Sequence, residues 1–214
     1  ERGLAHLDAP VSEFIPSFAD MHALIPGAER IDQTEPCATP TLQHLLTHTS
    51  GLSYAFNPGV LGVEMAKEKV GFGPRQGTTE TASNRISDLP LAFRPGTRWE
   101  YSEATSVLGR VIEVMSGKSL AQYFEDEIFA PLGMTETAFC VPKSTGDRFA
   151  AMYTPLQGDA MAVSGRAPGD PVLRLADAPE TSAFNATTCF SGGGGLLGTI
   201  DDYMRFCEML RLGG

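Results

Sequence analysis

One amphipathic helix constrains this chain more than any other feature. Apolar residues at Val107, Leu108, Val111, Ile112 and Met115 recur at the spacing of a single helical face, and Gly117 supplies a left-handed stop. Just upstream, Arg94-Pro95-Gly96 makes a turn and Trp99-Glu100-Tyr101 a short extended run, so that Ser102 stands where a helix cap belongs. A stripe of this kind needs a core to face. Tyr101 is thereby placed just before a helix N-terminus, where the backbone dipole favours negative charge. That placement helps a tyrosinate form but is insufficient by itself, because an ordinary tyrosine titrates near ~10. A catalytic Tyr101 therefore requires a cation nearby; the alternative is a tyrosine that anchors a turn.

Further helices follow the same logic. Thr39-Pro40-Thr41 opens a short helix through Leu42–Leu46 that ends before Gly51. Helices are expected over 59–69 and 78–88. Ser119 with Gln122 forms a capping box for a helix carrying Tyr123, Phe124, Ile128 and Phe129, which ends at Pro131-Leu132-Gly133-Met134. Thr199 with Asp202 caps a final helix bearing Tyr203, Phe206, Cys207 and Leu210. Residues 10–18 read as an apolar turn packed on something larger. Residues 24–40 read as a loop, and 140–190 as irregular, of the length that commonly wraps a site. The expected fold class is mainly α with irregular loops and little sheet.

Composition narrows function. A net charge of −10 with sixteen scattered Lys and Arg disfavours nucleic acid. No apolar stretch approaches the ~20 residues of a membrane span. Cys37, Cys140, Cys189 and Cys207 form no Cys-x-x-Cys pair and read as buried free thiols. Glu1-Arg2-Gly3-Leu4 lacks the features of a signal peptide, and both ends read as cuts through a longer protein. Oligomeric state is not legible; nor is the compartment, with the cytoplasm slightly favoured over the periplasm.

Several other patterns carry less. His44 and His48 have metal-ligand spacing but no acidic residue follows the first histidine. Gly193-x-Gly195-x-x-Gly198 mimics a dinucleotide fingerprint without the preceding strand, and reads as a tight turn close to a site. Gly51-Leu52-Ser53-Tyr54-Ala55 approximates a nucleophile elbow whose second glycine is alanine, leaving Ser53 as an alternative nucleophile. Asn185-Ala186-Thr187 is a glycosylation sequon of a kind that arises by chance.

Taken together, four segments resemble a known family. Leu45-Leu46-Thr47-His48-Thr49-Ser50-Gly51-Leu52-Ser53-Tyr54 resembles the His-Thr-Ser-Gly-Leu segment of serine β-lactamase-like and penicillin-binding proteins. Phe93-x-Pro95-Gly96-x-x-x-x-Tyr101-Ser102 resembles their tyrosine motif. Pro131-Leu132-Gly133-Met134-x-x-Thr137 and Gly192–Leu196 through Asp202-Tyr203-x-Arg205-Phe206 follow in the family's order. The likeness is greatest to family VIII carboxylesterases, near class C β-lactamases.

The resemblance implies an α/β domain with an inserted helical domain. Residues 1–214 would form a single segment that is mostly the helical domain, with the flanking α/β parts outside it. It also implies an acyl-enzyme mechanism in which a Ser-x-x-Lys serine attacks and the lysine and motif tyrosine manage the protons. Tyr101 would be the general acid/base, and Tyr54, Ser102 and Glu103 would contact substrate, with Tyr54 lining the acyl pocket. The implied substrate is a small ester or lactam, with no metal or organic cofactor.

Two departures matter. Class C enzymes carry Asn where this chain has Glu103, and a carboxylate accepts hydrogen bonds but cannot donate them, which favours an ester over a lactam. No serine stands three residues before any lysine: Glu64, Ala66, Met115 and Cys140 precede Lys67, Lys69, Lys118 and Lys143. The expectation is a carboxylesterase whose nucleophile lies outside this segment, the segment alone being inactive. The rival readings are a β-lactamase or D-Ala-D-Ala peptidase, and a non-catalytic penicillin-recognising or peptide-binding module.

Overall fold

A computed structural model describes residues 3–74, 77–142, 146–155 and 173–214. The order is two 3-10 turns (Val11–Glu13 and Pro16–Phe18), β1 (His22–Leu24), β2 (Thr34–Pro36), α1 (Leu42–Leu46), α2 (Val60–Glu68), α3 (Thr79–Ser87), α4 (Ala104–Ser116) and α5 (Leu120–Phe124). A π turn (Glu125–Phe129), α6 (Ala130–Leu132), β3 (Met152–Pro155), β4 (Leu173–Asp177) and α7 (Ile200–Leu212) follow, with short 3-10 turns at Gly146–Arg148 and Ala183–Ala186. The fold is mainly α with small two-stranded sheets, as the sequence implies.

The core forms around α4. Val107 and Val111 are buried with Leu45 of α1, Leu61 and Met65 of α2 and Ile86 of α3. Val11, Ile15 and Phe18 of the N-terminal turns join them, so the apolar turn at 10–18 does pack on the larger body. Leu108 and Met115 are partly buried against the same cluster, and Gly117 ends α4 at φ 69°. Glu113 on α4 is the polar tie: its carboxylate accepts from the Leu120 N–H at 2.9 Å, from Arg110 at 3.2 Å and from the Thr79 hydroxyl. A second, aromatic cluster stacks Phe124, Phe139 and Phe190 at centroid spacings of 6.0 and 5.1 Å.

Several expectations need correction. The 24–40 loop contains β2, which pairs antiparallel with β1 in the register His22–Pro36, Ala23–Glu35, Leu24–Thr34. Pro36 ends its strand, where the missing donor costs little. The 140–190 stretch contains the antiparallel β3–β4 pair; residues 156–172 lie outside the described residues. Ser102 does not cap α4. Glu103 occupies that position without a side-chain cap bond, and the Ser102 hydroxyl turns to His48 instead. Ser119 accepts from the Gln122 N–H, but the Gln122 amide donates to Asp126 rather than closing a capping box. The Pro131-Leu132-Gly133-Met134 segment does end the helix, with Pro131 inside α6 and the left-handed Gly133 as the stop. Only Cys189 is a buried thiol; Cys37, Cys140 and Cys207 are half-buried and all four are free.

Candidate active site

The two motifs around His48 and Tyr101 run side by side. Four backbone hydrogen bonds join them: Ala92 N–H to the Gly51 carbonyl (2.7 Å), Gly96 to Thr49 (2.8 Å), Glu100 to His48 (2.9 Å) and Glu103 to Ser53 (3.3 Å). Gly51 is required at this seam. Its φ is +84°, and a Cβ there would stand 2.3 Å from the Phe93 carbonyl oxygen. Side chains add a second set of ties. Ser53 donates to Glu100 at 2.7 Å, and the Asn57 amide donates to Ser53 (3.1 Å), Glu100 (3.2 Å) and the Tyr101 carbonyl (2.9 Å). Arg98 completes the cluster on the other Glu100 oxygen at 2.8 Å. Asn57 and Glu100 are functional-site supports that the sequence reading missed. Their spacing carries no signal, because they meet only across the folded seam.

This seam holds Tyr101 in extended chain just before the N-cap of α4, 47% exposed. Its ring rests between His48, at a centroid distance of 5.0 Å, and Tyr54, at 5.1 Å. Tyr54 in turn stacks on Phe56 at 4.7 Å. Burial pushes the Tyr54 hydroxyl well above the usual tyrosine range. The nearby Glu103 charge and Tyr101, including a hydrogen bond between the two phenols, push it the same way. Tyr54 therefore stays protonated. Burial also lowers the His48 pKa, favouring the neutral ring. Among the described lysines, Lys67 pairs with Glu64 and Glu68 and Lys118 with Asp126, while Lys69 closes α2 through its backbone N–H.

The other sequence-derived candidates separate. Ser102 is 1% exposed and lies 3.3 Å from His48 Nδ1, behind Tyr101 rather than beside open space. Glu103 is 6% exposed; it accepts from the Phe72 N–H at 3.3 Å and from Ser106, and burial raises its carboxyl pKa. His44 is spent locally, its Nδ1 accepting from the Thr41 N–H in the cap of α1, and no metal-binding group of three or more His, Cys, Asp or Glu occurs among the described residues.

The glycine run reaches the same place. A Cβ on Gly192 would lie 2.3 Å from the Thr105 carbonyl oxygen, and one on Gly193 would meet Ser106, Thr105 and the Tyr54 hydroxyl. Ser191 bonds to Ser106 at 2.9 Å. The run thus packs on the first turns of α4 and closes a cavity of about 260 Å³ lined by Tyr54, Glu103, Phe139, Phe184, Cys189 and Gly193–Gly195, among others. The Pro-Leu-Gly-Met segment is fastened to α7 by one buried carboxylate. Asp202 accepts from the Glu136 N–H (2.8 Å) and the Thr137 hydroxyl (2.9 Å), while its own N–H donates to Thr199. All four motif segments therefore converge through α4 and Asp202.

Residues 1–214 match the Beta-lactamase family in full. The chain belongs to that family. Among curated proteins it is 33% identical to Esterase EstB of Burkholderia gladioli over 215 residues, which is 98% of this chain and 52% of the relative. It is 32% identical to Acyltransferase calJ of Penicillium decumbens, across 95% of this chain and 46% of that one. Among solved structures it is similar to EstCE1, a hydrolase with promiscuous acyltransferase activity, with a TM-score of 0.71, 27% identity, and coverage of 100% of this chain and 54% of that one. The simvastatin synthase LovD of Aspergillus terreus matches equally well, with a TM-score of 0.71, 28% identity, and coverage of 98% and 48%. The family member described here spans about half the length of these relatives. Among the described residues no helix is long and apolar enough to cross a membrane.

Proposed function

We propose that the protein carrying this chain is a serine carboxylesterase that works through an acyl-enzyme, and that residues 1–214 are mostly its helical domain, supplying one wall of the catalytic cleft. The observation that carries the reading is the setting of Tyr101. It is half-exposed just before the N-cap of α4 and held between a neutral-leaning His48 and a protonated Tyr54. In this reading Tyr101 moves the proton between the attacking serine and the departing alcohol. The serine hydroxyl adds to the ester carbonyl, the alcohol leaves with a proton, and water or a second alcohol then releases the acyl group. This chain has no Ser-x-x-Lys, so the nucleophile and its lysine are assigned to the rest of the protein. Tyr54 lines the acyl pocket, and Ser102 supports Tyr101 from behind through His48.

Ester is preferred to lactam because Glu103 replaces a donor. Its carboxylate is turned inward to Phe72 and Ser106, and offers no amide to the side-chain carbonyl of a lactam. Relatives named as an esterase and as acyltransferases support the same chemistry. The test is steady-state turnover of 4-nitrophenyl butyrate and of a chromogenic cephalosporin by the full-length protein, with the 214-residue segment alongside. Efficient ester turnover, weak lactam turnover and an inactive segment are expected. Lactam turnover exceeding ester turnover, or an active segment, contradicts the assignment.

A further inference from the structure

The cavity lined by Tyr54, the ring that packs on Tyr101, contains a charged group that proton transfer does not use. Glu103 is buried at its wall, where its oxygens reach the Phe72 N–H and Ser106. An ionised carboxylate has about four acceptor sites, and these two partners leave capacity for another donor. A buried carboxylate is costly unless hydrogen-bonded, so a ligand hydroxyl placed there would be held strongly. Thr187, on the same wall, has a buried hydroxyl oxygen with no hydrogen-bond partner among the described residues.

Shape limits what can enter. The volume of about 260 Å³ is roughly eight or nine times a water's ~30 Å³ share of the liquid. It falls below the ~300–1,000 Å³ of sites for drug-sized ligands. The lining mixes this polar wall with Phe139, Phe184 and the bare backbone of Gly193–Gly195. The buried part of the wall, formed by Glu103, Phe139, Thr187 and Cys189, suits the acyl group, which stays on the enzyme between the two steps, better than the alcohol, which must leave.

We infer that this cavity receives the acyl part of the substrate and that Glu103 selects short acyl groups bearing a hydroxyl over plain alkyl groups of the same size. The inference rests on the esterase reading above. It assigns Glu103 a specificity role, separate from the proton transfer at Tyr101.

The experiment uses the full-length protein and compares kcat/KM for 4-nitrophenyl 3-hydroxybutyrate with 4-nitrophenyl butyrate, so that the leaving group is constant. The wild type should favour the hydroxy ester by about threefold or more, and Glu103→Leu should lose about tenfold more on the hydroxy ester than on butyrate. A second variant avoids burying a new group at Glu103. A Cβ on Gly194 meets nothing within 4 Å and its φ is not left-handed, so Gly194→Val should fold while narrowing the cavity. Its hexanoate-to-acetate ratio of kcat/KM should fall about tenfold relative to wild type. A wild type that prefers butyrate, or a Gly194→Val ratio equal to wild type, overturns the inference while leaving the esterase reading intact. No turnover of any of these esters overturns both.

Discussion

Helices α4 and α7 have equal length and similar amphipathic patterns, yet the fold treats them differently. α4 buries its apolar face in the main core through Val107 and Val111. α7 leaves Ile200, Tyr203, Met204, Leu210 and Leu212 exposed, Ile200 at 78%, and its sole buried residue is the polar Asp202. One helix is placed by packing and the other by a hydrogen-bonded carboxylate near its N-terminus. Amphipathicity therefore states that a segment is helical and has a side to cover. It does not state what covers that side within these residues.

Unfolding of the 214-residue chain in urea tests this contrast. The largest effect is expected in the α4 core. Leu45 is fully buried beside α4, and Leu45→Ala should cost about 2–5 kcal/mol through lost burial and the cavity it leaves. Next comes the polar anchor. Asp202→Ala strands the Glu136 N–H and the Thr137 hydroxyl and should cost about 1–3 kcal/mol; a loss below about 0.5 kcal/mol would mean that α7 is held some other way. The smallest effect belongs to the open face, where Ile200→Ser should change stability by less than about 0.5 kcal/mol. A core-sized loss there would show that α7 is covered after all.

The contrast also explains what was legible in the sequence. α4 was readable because five apolar residues announce its buried face and glycine its end. The four motif segments were readable as a set, since their order matches a family pattern. Their convergence was not, because Asp202 reaches Glu136 and Thr137 across 65 or more residues, and Asn57 and Glu100 meet only across the seam. Ser102 departs from the capping role its position implies for a related reason. Its hydroxyl had a competing long-range partner in His48, which local capping rules cannot weigh. β2 is not legible because three residues including a proline have no alternation to detect.

The buried Glu103 gives the α4 region a pH dependence. Its folded pKa is raised, first by burial, against hydrogen bonds from Ser106 and the Phe72 N–H that lower it. A group shifted this way stabilises the fold below the ordinary glutamate range and loses that contribution as pH rises through its folded value. Tyr54 and Cys189 face the same carboxylate but remain protonated, since burial raises both. Glu103→Gln should therefore flatten the decline in Tm between acid and neutral pH. Parallel Tm profiles for variant and wild type would show that Glu103 does not change ionisation on folding.

The central claim is that Tyr101 transfers protons rather than merely anchoring the turn. Its test is kcat/KM for 4-nitrophenyl acetate in the full-length protein carrying Tyr101→Phe, which keeps the ring against His48 and Tyr54 and removes only the hydroxyl. The account predicts a fall of about 10²–10⁴-fold with an unchanged Tm. A rate within about threefold of wild type would contradict it.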